Sequence, residues 1–531
     1  MTIASVFLLA FLSLIPPAAS AGSPVDKPSL PPGLEPGPYS VGYTVQHHID
    51  HTRTYGDKFD RAGRPSGRDY DRPIQISIWY PAEAGSPSRI ATFGDYVDSL
   101  ITEVRFDKTS DLRKRRFFDR IRTNAFGPEG GSAEDEARMT RFLRNPTIAI
   151  KDARPRTGRF PLLIYAPGAA SQSFENSALC EFLASYGYVV AAFPCNGFDS
   201  RENVMKASDV EALIRDAEFV MDKGRDFANA DPDKIGVIGY SWGSLVGLFL
   251  AARNAHIDAR VGIEGAEIVA DLSEPVRRQF PFYDAVAAIR VPSLVMIDAS
   301  DGRPVDLRIY DRMKYAETRF LRFLSVSHGN FSGLFRWALV LKKDAALEEI
   351  ARFDRVYALV GRYTLNFLEA KLKADNRGRE FLDRSLEANG IEAGLLTVEM
   401  HPALPRPPMG EEFLSIVRME GARAGRAIWA TARKADPDIV VSSLRDLFVV
   451  GQDAYYCGRM QEAIDVFELA ADACTANEPI VQQQSRLFLF LGRAYRKLGN
   501  LERARAWLKK AIDVYPDNAE AKKLWDELGR K

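Results

Sequence analysis

The sequence predicts an α/β fold, a mostly parallel sheet with helices on both faces, followed by an all-α repeat domain. Three observations predict it. Between residues 160 and 326, short apolar runs rich in β-branched residues alternate with helical stretches, the pattern of a parallel sheet covered on both sides. Within that region Gly239-Tyr240-Ser241-Trp242-Gly243 stands between an apolar run at 234–238 and an apolar stretch at 244–252, so it reads as strand, tight turn and helix with a serine at the turn. The C-terminal part repeats itself: Gly451, Gly458, Ala463, Phe467 and Ala470 recur with the same internal spacing as Gly492, Gly499, Ala504, Leu508 and Ala511.

At 531 residues the chain is too long for one core, so two or three domains are expected. Lysine plus arginine equals aspartate plus glutamate at 71 each, and this balance gives no ground for a nucleic-acid partner. Residues 3–15 are apolar and are followed by Pro16-Pro17 and Ala18-Ala19-Ser20-Ala21, which reads as a signal peptide over 1–21 and an exported, periplasmic or secreted, protein. A spanning helix needs about 20 apolar residues, more than this run or any other supplies. Four cysteines are too few for a disulfide scaffold. Cys457 and Cys474 fall at opposite ends of a helical hairpin, while Cys180 and Cys195 lie on neighbouring elements and read as buried thiols, their pairing left open.

After a proline-rich leader at 22–37, the α/β domain is read over 38–385. Residues 39–47 and 73–80 read as antiparallel edge strands, with His47-His48-Ile49-Asp50-His51 entering a solvent-facing loop and not a metal site. A helical insertion covers 93–144. Its basic run Arg113-Lys114-Arg115-Arg116 reads as a solvated helix face beside a pocket, in preference to a lipid-docking surface. Strands follow at 160–165, 188–193, 234–238, 259–264, 293–298 and 320–326, and residues 356–382 read as a closing helix. Residues 386–440 read as a linker with a degenerate helical unit, and 441–531 as the repeats with a capping helix.

The chemistry is sought at the carboxyl ends of the strands. A serine hydroxyl needs a base, and with this kind of turn the chain order is serine, acid, histidine. Of six histidines, His47, His48 and His51 precede the serine, His256 lies at the far end of the helix leaving the turn, and His401 is in the linker. His328 remains, directly after a strand. Two strand ends offer the acid: Glu264, and Asp298 or Asp301; spacing does not choose between them. Gly239 and Gly243 let strand and helix approach, and the N–H of Trp242 suits an oxyanion hole.

The motifs Ile78-Trp79-Tyr80-Pro81-Ala82, Phe160-Pro161, Tyr165-Ala166-Pro167-Gly168, Leu183-Ala184-Ser185-Tyr186-Gly187-Tyr188, the serine turn and His328 with Asn330-Phe331 together resemble the platelet-activating factor acetylhydrolase-like branch of the α/β hydrolases, near the dienelactone hydrolase-like group, over residues 38–382. The resemblance implies a serine esterase for short or oxidised acyl esters, lipid substrates included, that works without cofactor or metal. It maps the acid onto Glu264, where the family carries aspartate, with Asp301 as the alternative, and maps the second oxyanion donor onto the N–H of Ala169, after Pro167-Gly168 in place of the family's histidine-glycine. The C-terminal copies, offset by 41 residues and closed by Pro516, resemble tetratricopeptide repeats, which implies a protein partner. Two other readings stay open: dienelactone or polyester hydrolysis or acyl transfer on the same residues, and a repeat-based interaction protein whose hydrolase site is vestigial.

Overall fold

The computed structural model describes residues 28–529 except 57–58, 60–61, 66–69, 105, 107–110, 128–130, 199–205, 270–283, 301–302, 438 and 474–480. The signal-peptide reading at 1–21, the alternative acid Asp301 and Cys474 therefore lie outside the described residues. The chain forms two compact units, 1–404 and 405–531.

The first unit is built on one sheet. Its strands are β1 (Ser40–Thr54), β2 (Asp71–Ala82), β3 (Ile90–Thr92), β4 (Pro146–Lys151), β5 (Phe160–Ala166), β6 (Val189–Ala192), β7 (Ala230–Tyr240), β8 (Ala259–Ile263), β9 (Ser293–Asp298), β10 (Thr318–Phe323) and β11 (Leu396–His401). They lie in the order β11-β10-β9-β8-β7-β5-β6-β2-β1-β4-β3. From β6 to β10 every neighbour is parallel, while β2 and β11 close this block antiparallel at either side. The order β1-β2-β6-β5-β7 is that of an α/β-hydrolase sheet, its crossover at β5 and β6 placing β7 in the middle.

Alternation along the strands feeds two cores. In β5, Leu163 and Tyr165 join one apolar cluster with the helices Ser177–Ser185, Gly333–Leu341 and Leu347–Leu372; Leu162 and Ile164 join the other with Ala207–Arg225 and Trp242–Arg253. Leu30 and Leu34 of the leader are buried in the first cluster.

Three sequence expectations need correction. The loop predicted at His47–His51 is strand, because β1 runs to Thr54 against β2. A buried ion network holds that end: Asp216 accepts from Arg72 Nε at 2.6 Å and from Arg53 Nη2 at 2.8 Å, and Asp50 from Arg53 Nε at 2.7 Å. The range assigned to a linker from residue 386 contains β11, which pairs with β10 across six residue pairs from Thr318/His401 to Phe323/Leu396. The single closing helix is two, Leu347–Leu372 and Asn376–Asp383, separated where Ala374 turns left-handed (φ 55°) and Asp375 caps the second by accepting from Arg377 N at 2.7 Å.

The insertion at 93–144 holds the helices Phe93–Asp98, Leu112–Phe126 and Ala133–Leu143. Glu134, Ala137, Arg138, Arg141 and Phe142 on one helix face, and Gly333, Arg336, Trp337, Val340 and Leu341 on another, wall a cavity of about 590 Å³. Glu181 lines it, accepting from Tyr96 Oη at 2.7 Å and Ile148 N at 3.0 Å; burial outweighs those two bonds and pushes its carboxyl up to about 7.

In the second unit the helices Leu444–Tyr456 and Met460–Ala473 form one pair, Val481–Lys497 and Leu501–Val514 another, followed by Ala519–Gly529. Glu411–Glu420 and Ala422–Ala435 form a helical pair where the degenerate unit is read. Close crossing explains the repeated glycines: a Cβ at Gly451 would lie 2.4 Å from Phe467 Cε1, and one at Gly492 2.6 Å from Leu508 Cγ. Each first helix ends in the same αL turn. Gly458 (φ 80°) and Gly499 (φ 79°) donate to Tyr455 and Arg496, and the next residues, Arg459 and Asn500, to Ala454 and Tyr495. Among the described residues no helix is long and apolar enough to cross a membrane.

Two outcomes follow. Gly451→Ala drives a methyl into the fully buried Phe467 ring and lowers stability by about 1–3 kcal/mol, read by chemical denaturation and by faster amide exchange in the helices at 444–473. For Glu181, a folded pKa above the unfolded one means that the folded state holds the proton more tightly, so its contribution falls as pH rises from about 4.5 to about 7 and is level above. Glu181→Gln carries no such term. Its stability relative to wild type therefore climbs across that window, by at most about 1.4 kcal/mol per pH unit; a difference independent of pH refutes the shifted carboxyl.

Candidate active site

At the carboxyl end of β7 the backbone is forced into one conformation. Ser241 has φ 54° and ψ −118°, a region that side chains other than glycine rarely enter, and it caps the buried helix Trp242–Arg253. Its neighbours explain how this is tolerated. A Cβ at Gly243 would lie 1.9 Å from Ala166 O, and one at Gly239 2.2 Å from Gly243 O, so only hydrogens fit where strand and helix close on each other. Ser241 N donates to Ile263 O at 2.9 Å, and Ser241 O accepts from Ala266 N at 3.0 Å, which ties the turn to the end of β8.

The structure brings Ser241, His328 and Glu264 together. His328 begins the loop after β10, and its Nε2 is 3.1 Å from Ser241 Oγ. On the far side of the ring, Nδ1 lies 3.6 Å from Glu264 Oε1, an electrostatic contact longer than a hydrogen bond. Tyr240 supports the histidine twice, stacking on its ring at 5.0 Å and donating its hydroxyl to His328 O at 2.9 Å. The burial that encloses this phenol pushes its pKa far up, so it stays a donor.

Glu264 is also left-handed (φ 48°), its N–H donating to Met296 O at 2.8 Å. Oε2 accepts from Asp298 N at 2.5 Å and Oε1 pairs with Arg303. Burial alone raises such a carboxyl, but His328 and Arg303 outweigh it and hold Glu264 below its ordinary range. Asp298, the neighbouring candidate, is occupied elsewhere: Oδ1 accepts from Ser300 N and Oγ at 3.0 and 2.6 Å, and Oδ2 pairs with Arg303 Nη1 at 2.9 Å.

Facing the serine is the loop after β5. A Cβ at Gly168 would be 3.4 Å from Ser241 Cβ, which puts Ala169 beside that serine. Among the described residues no protein acceptor takes the N–H of Ala169 or of Trp242. Glu175 underlies the loop, Oε2 accepting from Gly168 N at 2.7 Å, and burial raises its pKa. Arg303, Glu175 and Tyr240 were not singled out from the sequence. No local signal marked them: Glu175 and Arg303 stand in polar loop stretches after β5 and β9, and Tyr240 entered only as part of the serine turn.

Cys180 and Cys195 are buried free thiols, and Cys457 is free and exposed. Among the described residues no group of three or more His, Cys, Asp or Glu side chains is arranged to hold a metal ion.

No curated protein matches the chain. Among solved structures it is similar to a ferulic acid esterase from Streptomyces cinnamoneus, at 19% identity and a TM-score of 0.46, over 72% of this chain and 100% of that one. A family model described as tetratricopeptide repeat matches residues 485–518, and the helical C-terminal unit thus contains a tetratricopeptide repeat.

Proposed function

We propose that this chain is a serine esterase that hydrolyses carboxylic esters with Ser241 as nucleophile, His328 as base and Glu264 as the acid that orients it. The observation that carries the proposal is the order Ser241 Oγ, His328, Glu264 across 3.1 and 3.6 Å, beyond the carboxyl ends of β7, β10 and β8. With Nδ1–H turned towards Glu264, Nε2 is free to accept the Ser241 proton as Oγ attacks the acyl carbon. The negative charge that forms on the carbonyl oxygen meets the N–H groups of Ala169 and Trp242. His328 then delivers its proton to the leaving alcohol, and water, activated by the same ring, releases the acid and restores the serine.

Glutamate replaces the aspartate expected from the family resemblance, and its longer side chain is held back by Arg303 and Asp298 N. That hold keeps the carboxylate ionised and leaves a gap at Nδ1 that closes when positive charge develops on the imidazole, since unliganded sites commonly have long catalytic contacts. The finer reading, short or oxidised acyl chains on a lipid-like alcohol, rests on the resemblance in residues 38–382. Export rests on the N-terminal apolar run, and a protein partner on the repeats.

The test is hydrolysis of a graded series of p-nitrophenyl esters. Ser241→Ala and His328→Ala lower kcat/KM by roughly 10⁴-fold or more, and Glu264→Gln by roughly 10²- to 10⁴-fold. Asp301→Asn changes it by less than about threefold. Full turnover by Ser241→Ala overturns Ser241 as the nucleophile, absence of turnover by wild type overturns the esterase reading, and loss of activity in Asp301→Asn with Glu264→Gln active reassigns the acid.

A further inference from the structure

The insertion helix Leu112–Phe126 carries, on the face it turns to the loops around Ser241, a guanidinium that the hydrolytic mechanism does not use. Arg113, Phe117 and Arg120 follow one another at i, i+4 and i+7 and so share a helix face. The first two show where that face points. Arg113 Nη1 donates to Asn196 Oδ1 at 2.5 Å, in the loop after β6, and to Glu103 Oε2 at 2.7 Å. Phe117 is buried, with its ring centroid 5.7 Å from that of Phe174, the residue before Glu175. Both partners lie in loops at the carboxyl ends of the strands, β5 and β6, beside Ser241.

Arg120 is one turn further along the same face. It is exposed, and among the described residues no carboxylate forms an ion pair with it. Its one resolved electrostatic neighbour is Glu175, the carboxyl under the Gly168 loop. Desolvation nevertheless pulls the Arg120 pKa down. A side chain that water reaches but protein surrounds stands in a recess. Glu175 is buried and turned to its own loop, where Oε2 accepts from Gly168 N at 2.7 Å, and it forms no ion pair with Arg120.

We propose that Arg120 is a specificity residue that binds a carboxylate on the substrate, so that the preferred esters are monoanionic, with a carboxylate at the end of the acyl chain remote from the scissile bond. One planar guanidinium with a single positive charge matches one carboxylate in two parallel N–H···O bonds. The proposal rests on the esterase reading for its chemistry but not for the anion subsite itself. The basic run at 113–116 is thereby divided. Arg113 braces the helix against the sheet loops, while the charge that meets the substrate lies outside the run.

The experiment compares the p-nitrophenyl hemiester of glutaric acid with its methyl ester, which has the same chain without the charge. Wild type prefers the hemiester by about 10- to 100-fold in kcat/KM, mainly through KM, and the ratio falls towards one in Arg120→Gln, is partly kept in Arg120→Lys and shrinks with added salt. Equal rates on the two esters in wild type, or a preference that survives in Arg120→Gln, overturn the proposal. Glutarate titrated into Ser241→Ala, with and without Arg120→Gln, reads the subsite without turnover. Saturable binding lost in the double variant supports it even where wild type hydrolyses neither ester, an outcome that sinks the esterase reading alone; absence of glutarate binding overturns the subsite.

Discussion

The left-handed backbone at Ser241 is the constraint on which the rest of the site depends. It exists because Gly239 and Gly243 let β7 and the following helix meet at a separation that no Cβ would survive. Five other non-glycine residues with positive φ are described, and three of them, Ala170, Glu264 and Ser325, lie like Ser241 just beyond the carboxyl ends of parallel strands, β5, β8 and β10. Each such residue costs about 1–3 kcal/mol, so the strain is concentrated where the chemistry is proposed. The surroundings hold it there: Ser241 N bonds Ile263 O, Glu264 N bonds Met296 O, and Ser325 O accepts from Arg352 of the long helix beneath the sheet. Relaxing any one of these turns would move a side chain by more than the tolerance of a proton-transfer contact.

Two buried carboxyls near the serine show how environment divides their roles. Glu264 and Glu175 are equally enclosed, yet His328 and Arg303 hold the first down while burial raises the second. In the proposed mechanism a carboxylate behind the imidazole stabilises the charge that develops there, and a carboxyl whose charged form burial disfavours opposes the proposed oxyanion less. Their surroundings thus shift the two carboxyls in opposite directions within one site. Arg303 also bridges Glu264 to Asp298, so the ends of β8 and β9 are joined by charge as well as by the ladder.

What the sequence made legible follows from how local each signal is. Ser241 and His328 are written in the chain, one by a glycine-flanked turn and the other by elimination among six histidines. Glu264 needed the resemblance, because two strand ends carried acids and their reach to the imidazole depends on register. Arg303, Glu175 and Arg120 act through residues far away in sequence, and no periodicity announces them. The edge of the sheet was misread for a related reason. Residues 47–51 are polar, and only the Asp216 pairing with Arg53 and Arg72, across more than a hundred residues, shows why such a segment is strand. β11 lies in a stretch read as linker because Thr397 to Met400 are all exposed and show no buried alternation, and it is recognisable only by its ladder to β10. The glycine crossings of the C-terminal unit were legible because each repeat is one local hairpin stamped twice.

The proposed chemistry and the proposed selection of substrate sit on different parts of the chain, and their tolerance to change differs accordingly. Ser241, Glu264 and the loop at Gly168 are held by the ladder of the parallel sheet, where a shift in one strand is transmitted to its neighbours. The helix Leu112–Phe126 is an addition joined to that frame by side chains, through Arg113 to Asn196 and Phe117 to Phe174. Its residues answer to no ladder. A guanidinium at Arg120 can therefore be exchanged without disturbing the turn at Ser241, whereas no residue with a Cβ can replace Gly243 without displacing Ala166. On the proposed reading the physical consequence is a fixed nucleophile and a replaceable selector, and the selector in this chain carries positive charge.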